Sequence, residues 1–264
     1  MSDHSFQPVT RAQHGARRWV RYTNYGFAAR DALLPVYGPE LARMAMELPL
    51  AFVRVNGQIV PVAVMGVEPG RNLYVDSGGQ WLGQYVPAIV RSHPFALLRA
   101  DDGRHVLCVN EASGLIVPGT ESLGSEPFYN ADGKLSSETQ AVLDFLAAVE
   151  GYKPTTLGAC SALEASGVLQ PWELTLELAT GKRSIGGVYS VSEQLLSTLA
   201  DNIFLGLRDA GALALAYTQV MSMQNVKQLE VAARLDEERR LAAQAVTPGG
   251  VLDLSFLQGD TLRF

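Results

Sequence analysis

The chain has 264 residues, of which 47% are hydrophobic and 18% carry a charged side chain. This composition excludes general disorder, and this length can bury a core without a disulfide or metal staple. The formal net charge of −6 disfavours broad nucleic-acid binding, because a surface that binds nucleic acid is basic. Two cysteines, Cys108 and Cys160, are too few for a disulfide framework and fit a reducing cytoplasm.

The first 24 residues are polar and basic and contain no apolar segment of the kind that a secretory signal needs. They predict an arm, residues 1–24, that crosses the surface of one domain, residues 25–243. The longest nearly apolar run, 59–67, is far shorter than the roughly 20 residues that span a bilayer. We therefore expect a cytoplasmic protein without a membrane span. Anion binding remains an alternative role for the arginines of the first thirty residues: Arg11, Arg17, Arg18, Arg21 and Arg30.

Two antiparallel hairpins are predicted in the first half of the chain. In residues 50–67, two strand-like runs flank Asn56-Gly57, a pair that supplies both positive φ angles of a type I′ turn. Pro61 has no N–H to donate, so its strand is expected at a sheet edge or with a bulge. Residues 95–110 predict the second hairpin.

Helices are predicted to dominate the second half. A capping box at Ser137 opens a helix that ends at Gly151, and a shorter helix follows and stops near Gly167. A second capping box, Ser190 with Glu193, opens another helix.

The remaining segments complete the predicted fold. Strict alternation in residues 172–178 indicates a half-buried strand, whereas residues 212–220 fit either a strand or a buried helix. Residues 222–240 predict a helix. The tail, residues 244–264, alternates apolar and polar positions and fits an edge strand or a docking segment for another copy of the chain. The predicted class is α+β: antiparallel hairpins with a helical layer in one domain.

The sequence contains none of the spacings that mark common catalytic or metal sites. Four histidines occur without HxH or HExxH spacing, so we expect no metal site. The nucleophile elbow GxSxG, the loop GxxxxGK[ST] and the fingerprint GxGxxG are also absent, and we predict no cofactor.

Residues 72–95, NLYVDSGGQWLGQYVPAIVRSHPF, concentrate aromatic residues, glycines and prolines in one span. Aromatic side chains with a few polar anchors are typical of ligand pockets. The alternative is structural, because Asp76 before Ser-Gly-Gly is also ordinary turn chemistry and strand aromatics are often core. The candidate ligand-binding residues are Asn72, Asp76, Trp81, Tyr85, Arg91 and His93.

The order of five segments resembles the bacterial SapC family, named for an S-layer-associated locus. The segments are ELPLAFVRV, VPVAVMGV, NLYVDSGGQWLGQYVPAIVRSHPFAL, GVYSVSE and GALALAYTQVMSMQNVKQL, within roughly residues 48–235. Tyr74 stands where the family usually has Phe, and His93 where it usually has Tyr. The resemblance implies a cytoplasmic protein associated with surface-layer or TonB-dependent uptake systems, and it supplies no catalytic residues.

Three functions follow as hypotheses. The first is a non-catalytic binding or accessory protein with a protein partner or a small ligand. The second is an enzyme of unknown reaction whose site lies near Asp76, Arg91 and His93, or near His105 in place of His93. The third is a contact between the N-terminal arginines and an anion or a nucleic acid, although the net charge makes nucleic acid the weaker choice.

Overall fold

The structure, a computed structural model, describes residues 5–119 and 124–244. These residues form antiparallel sheets and several helices, so the predicted α+β class is confirmed. The strands are β1 (Phe6–Pro8), β2 (Arg17–Val20), β3 (Leu33–Pro35), β4 (Leu50–Val55), β5 (Gln58–Val64), β6 (Phe95–Arg99), β7 (His105–Asn110), β8 (Ile116–Pro118), β9 (Ser125–Pro127), β10 (Leu169–Pro171), β11 (Leu174–Leu178), β12 (Gly181–Ile185) and β13 (Val188–Val191). The helices are α1 (Arg11–His14), α2 (Glu40–Met44), α3 (Ala88–Arg91), α4 (Ser137–Ala165), α5 (Glu193–Ser197), α6 (Asp201–Asp209), α7 (Ala212–Ser222) and α8 (Val226–Gln244).

The largest sheet has the order β10-β13-β4-β5-β3, and every neighbouring pair in it is antiparallel. The predicted β4–β5 hairpin is confirmed, and both turn residues, Asn56 and Gly57, have positive φ angles of 49° and 80°. Helices α4 and α7 pack against each other and against this sheet, which confirms the helical layer. The core under that layer includes Phe52, Leu163 and Leu229, all fully buried.

Pro61 corrects the expectation of an edge strand, because β5 lies between β4 and β3. Pro61 stands opposite Phe52, and its carbonyl accepts a hydrogen bond of 3.1 Å from the N–H of Val36. Strand β3 ends at Pro35, next to this position. The N–H that Pro61 lacks would therefore lie at the point where the pairing of β3 with β5 ends. For this reason a proline is tolerated inside the sheet.

Residues 5–20 contribute two strands, β1 and β2, to the sheets, whereas the sequence predicted an arm over the surface. Strand β1 pairs with β7, and β2 is the central strand of a second three-stranded sheet, β8-β2-β9. Trp19 on β2 is 3% exposed, and its Nε1 donates to Oγ1 of Thr139 at 3.1 Å. With Phe95, Phe128 and Leu146, Trp19 forms a second core, separate from the core under the five-stranded sheet.

Helix α4 runs for 29 residues through Gly151 and Pro154, so the predicted break at Gly151 is wrong. Its N-cap is Ser136, one residue before the predicted start, with the N–H of Thr139 donating to Oγ at 3.2 Å. The second half of α4 buries Cys160 and Leu163 completely. This burial outweighs the helix-breaking tendency of glycine and proline.

The C-terminal helices also differ in detail from the prediction. The N-cap of α5 is Ser192 rather than Ser190, and the predicted single helix is divided into α5 and α6. Residues 212–220 belong to α7, so this segment is a helix and not a strand. The alternating strand is confirmed as β11, with Leu174 and Leu176 buried. The predicted tail, from residue 245 to residue 264, lies outside the described residues, so its edge-strand and oligomer roles stay predictions.

Candidate functional site

The span of residues 72–95 begins inside the core. Asn72 is fully buried, its Nδ2 donates to the carbonyl of Ala28 at 3.0 Å, and its Oδ1 accepts the N–H of Tyr74 at 2.9 Å. Both ends of this amide are therefore bound to the backbone, which is what burial of a polar group requires. Asn72 thereby fixes the path of the chain, and its role in ligand binding stays a prediction.

Asp76 organises the turn that follows. Its Oδ1 accepts the N–H groups of Gly78 at 2.9 Å and Gln80 at 2.8 Å, and the turn brings Val75 back beside Trp81. An Asp side chain that bonds its own backbone in this way replaces a backbone hydrogen bond of the turn. The carboxylate of Asp76 is thus engaged within its own loop.

Trp81 is the first member of an aromatic row. Its ring centroid lies 5.5 Å from that of Tyr25, and its Nε1 donates to the carbonyl of Tyr85 at 3.1 Å. Tyr22 lies 5.3 Å from Tyr25 and 5.1 Å from Phe27. The row therefore joins the segment 22–27 to the span by edge-to-face and tilted contacts of the kind that aromatic rings favour.

The row ends at His93, whose ring stacks on Phe27 with a centroid distance of 3.7 Å and an interplanar angle of 9°. Burial lowers the pKa of His93 to about 4, because the charged imidazolium is poorly solvated there. The ring is therefore neutral at pH 7, with one nitrogen as a donor and the other as an acceptor. Among the described residues, no side chain or backbone group forms a hydrogen bond with this ring.

Tyr85 and Arg91 belong to a polar cluster on the other side of the span. The hydroxyl of Tyr85 donates to Oε1 of Glu40 at 2.9 Å and accepts from the guanidinium of Arg91 at 2.9 Å. Arg91 also lies over the rings of Tyr85 and Phe145, at 5.4 and 4.9 Å. These contacts tie the span to α2 and α4.

Two carboxylates near α2 hold the span in place. Glu40 accepts the N–H of Ala88 at 2.5 Å, and Glu47 accepts the N–H groups of Gln84 at 2.6 Å and Tyr85 at 3.2 Å. Burial raises the pKa of the Glu40 carboxyl, while the hydrogen bonds that it accepts oppose this shift. We call Glu40 and Glu47 the carboxylate clamp.

A cleft of about 550 Å³ lies between β3 and β6, which are edge strands of two different sheets. A volume of this size is typical of sites for small molecules. The stacked pair of Phe27 and His93 forms part of its wall, and one face of α3 forms another. The residues that line the cleft include Phe6, Phe27, Asp31, Leu33, Ile89, His93, Ala96, Leu98 and Asn110.

Of the six residues predicted from the sequence, His93 is the one that lines this cleft. Asp76 lines a different depression, of about 370 Å³, beside α8. Arg91 is held by Tyr85, so Asp76, Arg91 and His93 each engage a different set of partners. The site near these three residues remains a prediction.

Phe27 and Asp31 line the cleft but were not predicted from the sequence. They lie in a turn and a short connection before β3, where no spacing or periodicity marks them. Two tertiary contacts place these residues in the cleft. Strand β3 pairs with β5, and Phe27 stacks on His93. The aromatic composition of residues 22–27 was the available signal.

Two of the five N-terminal arginines, Arg17 and Arg18, bind groups within the protein. Arg17 pairs with Glu111 at 2.8 Å, and Arg18 donates to the carbonyl of Ser125 at 2.7 Å. In the two described stretches, no group of three or more His, Cys, Asp or Glu side chains is arranged to hold a metal ion. Nor does any helix in that part of the chain have the length and apolar character to cross a membrane.

Both cysteines are buried and free, and burial raises the pKa of the Cys160 thiol to about 12. A thiol with such a pKa is protonated at pH 7 and is a poor nucleophile. Cys160 therefore packs as a small apolar side chain.

The fold and the cleft define an α+β protein with an open apolar cleft between two antiparallel sheets. The chain belongs to the SapC family, because the SapC family model matches residues 9–229. This match begins well before residue 48, where the recognisable motifs of the sequence begin, and so includes β2 and the aromatic segment 22–27. No curated protein and no solved structure matches the chain.

Proposed function

We propose that this chain is a non-catalytic binding or accessory protein, and that it holds a ligand in the cleft between β3 and β6. The cleft itself carries this proposal: it is open, about 550 Å³ in volume, and lined mainly by aromatic and aliphatic side chains. Such sites bind small molecules through apolar contact, with a few polar groups that fix orientation.

The state of the predicted catalytic groups favours binding over catalysis. General acid–base chemistry needs a titratable group within hydrogen-bond reach of the reacting atom. Asp76 is occupied by the N–H groups of its own turn, and Arg91 by Tyr85. An enzyme at Asp76, Arg91 and His93 would require these contacts to be broken.

The setting of the proposed function extends the resemblance found in the sequence. This chain resembles SapC proteins linked to surface-layer or TonB-dependent uptake systems, and we propose the same accessory role for it. Two free, buried cysteines support a reducing cytoplasm as its compartment. Affinity purification from the cells that produce the protein tests this role, with a TonB-dependent receptor or a surface-layer protein as the expected partner. Repeated recovery of neither would contradict it.

A fluorescent apolar probe tests the cleft directly. N-phenyl-1-naphthylamine is uncharged at pH 7 and brightens in apolar sites, so its fluorescence is expected to rise and saturate with the protein. Ala96→Phe places a ring in the cleft, since Ala96 lines it, and should weaken this binding at least tenfold. Ala131→Phe is the matched control, because Ala131 lies exposed in a turn outside the cleft.

Equal probe affinity in the Ala96→Phe and Ala131→Phe variants would refute the cleft as the binding site. Thermal unfolding of both variants, followed by circular dichroism, must show that Ala96→Phe keeps a cooperative fold. If Ala96→Phe does not fold, the smaller Ala96→Leu variant gives the same comparison with a lower steric cost.

A further inference from the structure

Asp31 is a carboxylate without a partner in the described part of the chain. Its backbone N–H donates to the carbonyl of Ala28 at 3.1 Å, which places it directly after the turn that carries Phe27. Its side chain makes no ion pair or hydrogen bond with residues 5–119 or 124–244, although it is partly buried and lines the cleft. Burial raises the pKa of the Asp31 carboxyl.

Other aspartates of this protein show what Asp31 lacks. Asp236 pairs with Arg71, Asp102 with Arg104 at 2.6 Å, and Asp209 with Arg208 at 3.0 Å. A partly buried carboxylate without a cation or donor is unfavourable, because burial removes water that nothing replaces. A cation bound in the cleft at Asp31 would offset this cost.

The surroundings of Asp31 define what carries that charge. Leu33, Ile89 and Leu98 supply aliphatic contact, and Phe27 presents an aromatic surface beside it. His93 also lines the cleft, and its neutral ring carries an acceptor nitrogen that forms no hydrogen bond within the described residues. These neighbours suit an apolar body that ends in an amine.

We infer that the cleft binds a small molecule in which a positively charged amine is attached to an aromatic or aliphatic body, with the ammonium group on Asp31 and the body against Phe27 and Leu98. This assignment rests on the proposed binding function and names its ligand class. A volume of about 550 Å³ accommodates an amine of this kind.

Three compounds of nearly the same shape separate the effect of the ligand's charge on affinity from the effect of its apolar contact. 2-Phenylethylamine carries the ammonium group, 2-phenylethanol is its neutral counterpart, and 3-phenylpropionate carries the opposite charge. Titration calorimetry on the full chain should show the amine binding at least tenfold more tightly than the alcohol, with the carboxylate weakest. Amide resonances of Leu33, Ile89 and Leu98 should shift during the amine titration, which locates binding in the cleft.

Asp31→Asn removes the charge and keeps the shape of the side chain. It should weaken binding of 2-phenylethylamine at least tenfold and leave binding of 2-phenylethanol unchanged. Asp102→Asn is the control, because Asp102 is also an aspartate but lies on an exposed hairpin turn, paired with Arg104. This control should leave the affinities for all three compounds unchanged.

The outcomes distinguish this inference from the proposed function. If the amine and the alcohol bind equally, and Ala96→Phe abolishes both, the inference fails while the cleft remains a binding site. If none of the three compounds binds while N-phenyl-1-naphthylamine still binds, the inference is overturned and the cleft remains a binding site; if the probe does not bind either, both are overturned. If Asp31→Asn leaves the affinity for the amine unchanged, the carboxylate does not hold the ammonium group, and the inference is overturned.

Discussion

A single titratable ring, His93, combines three roles in the structure. It closes the aromatic row on Phe27, it lines the cleft, and it is held in the neutral form by burial. A neutral histidine in the native state takes up its proton at lower pH than the same histidine in the unfolded chain. The stability of the protein should therefore depend on this side chain in mildly acidic solution.

His93→Phe tests this dependence. The folded pKa of about 4 lies below the unfolded value of 6.5, so the contribution of His93 is present above pH 6.5 and lost as pH falls toward 4. We expect the wild type to lose about 1–2 kcal/mol of unfolding free energy relative to His93→Phe between pH 7 and pH 5, after allowance for solvent screening of a partly exposed ring. Urea denaturation at both pH values measures this difference.

His105→Phe is the control for the pH experiment, because His105 is an exposed histidine of β7. This variant keeps the ring of His93 and should therefore keep the loss of stability between pH 7 and pH 5. Parallel stability curves for the wild type and His93→Phe from pH 7 to pH 5 would contradict the neutral, buried state of His93.

At the scale of single elements, α4 shows where sequence patterns mislead. Gly151 and Pro154 are ordinary helix terminators, yet the helix continues to Ala165 because its second half contacts the five-stranded sheet and buries Leu163. By contrast, the β4–β5 hairpin was predictable, since Asn56 and Gly57 define their turn by local backbone preference alone. Elements with local causes could be predicted, and elements that depend on tertiary contact could not.

The same distinction applies to the site. His93 was predictable because it lies within one span of unusual composition, residues 72–95. Asp31 was not, because its place in the cleft depends on strand β3 joining a sheet formed by residues far along the chain. That the side chain of Asp31 forms no ion pair or hydrogen bond with the described residues is a property of the folded surroundings, and no spacing in the sequence records it.

Gly151→Ala should stabilise the protein by about 0.5–1 kcal/mol, because glycine in a helix interior costs conformational entropy. A Cβ at Gly151 would meet no atom within 4 Å, so the substitution adds no clash. Thermal and urea unfolding measure the gain.

Gly38→Ala is the contrasting variant, since its φ is +59° and a Cβ there would lie 2.5 Å from Cγ of Tyr152. It should destabilise the fold, and a gain there or a loss at Gly151 would contradict this reading of α4.

Across the whole molecule, residues 72–95 connect the two cores. Tyr74 and Val90 belong to the core under the five-stranded sheet, and Phe95 belongs to the core around Trp19. Between them, the carboxylate clamp holds residues 84–88 to α2 and thereby positions α3, whose Ile89 forms a wall of the cleft. The span is thus a structural connection that also shapes the candidate site.

Glu47→Ala tests this connection. It leaves the N–H groups of Gln84 and Tyr85 without their acceptor, and loss of such charge-assisted bonds typically costs about 1–3 kcal/mol. Urea denaturation should show a loss of this size, and hydrogen exchange should accelerate at residues 84–88. N-phenyl-1-naphthylamine should bind the cleft more weakly, because α3 follows this segment directly.

Glu173→Ala, in an exposed position, controls for the loss of a glutamate. It should change neither the unfolding free energy, nor the hydrogen exchange, nor the affinity for the probe. Unchanged exchange at Gln84 and Tyr85 in the Glu47→Ala variant would show that the clamp does not position the cleft wall.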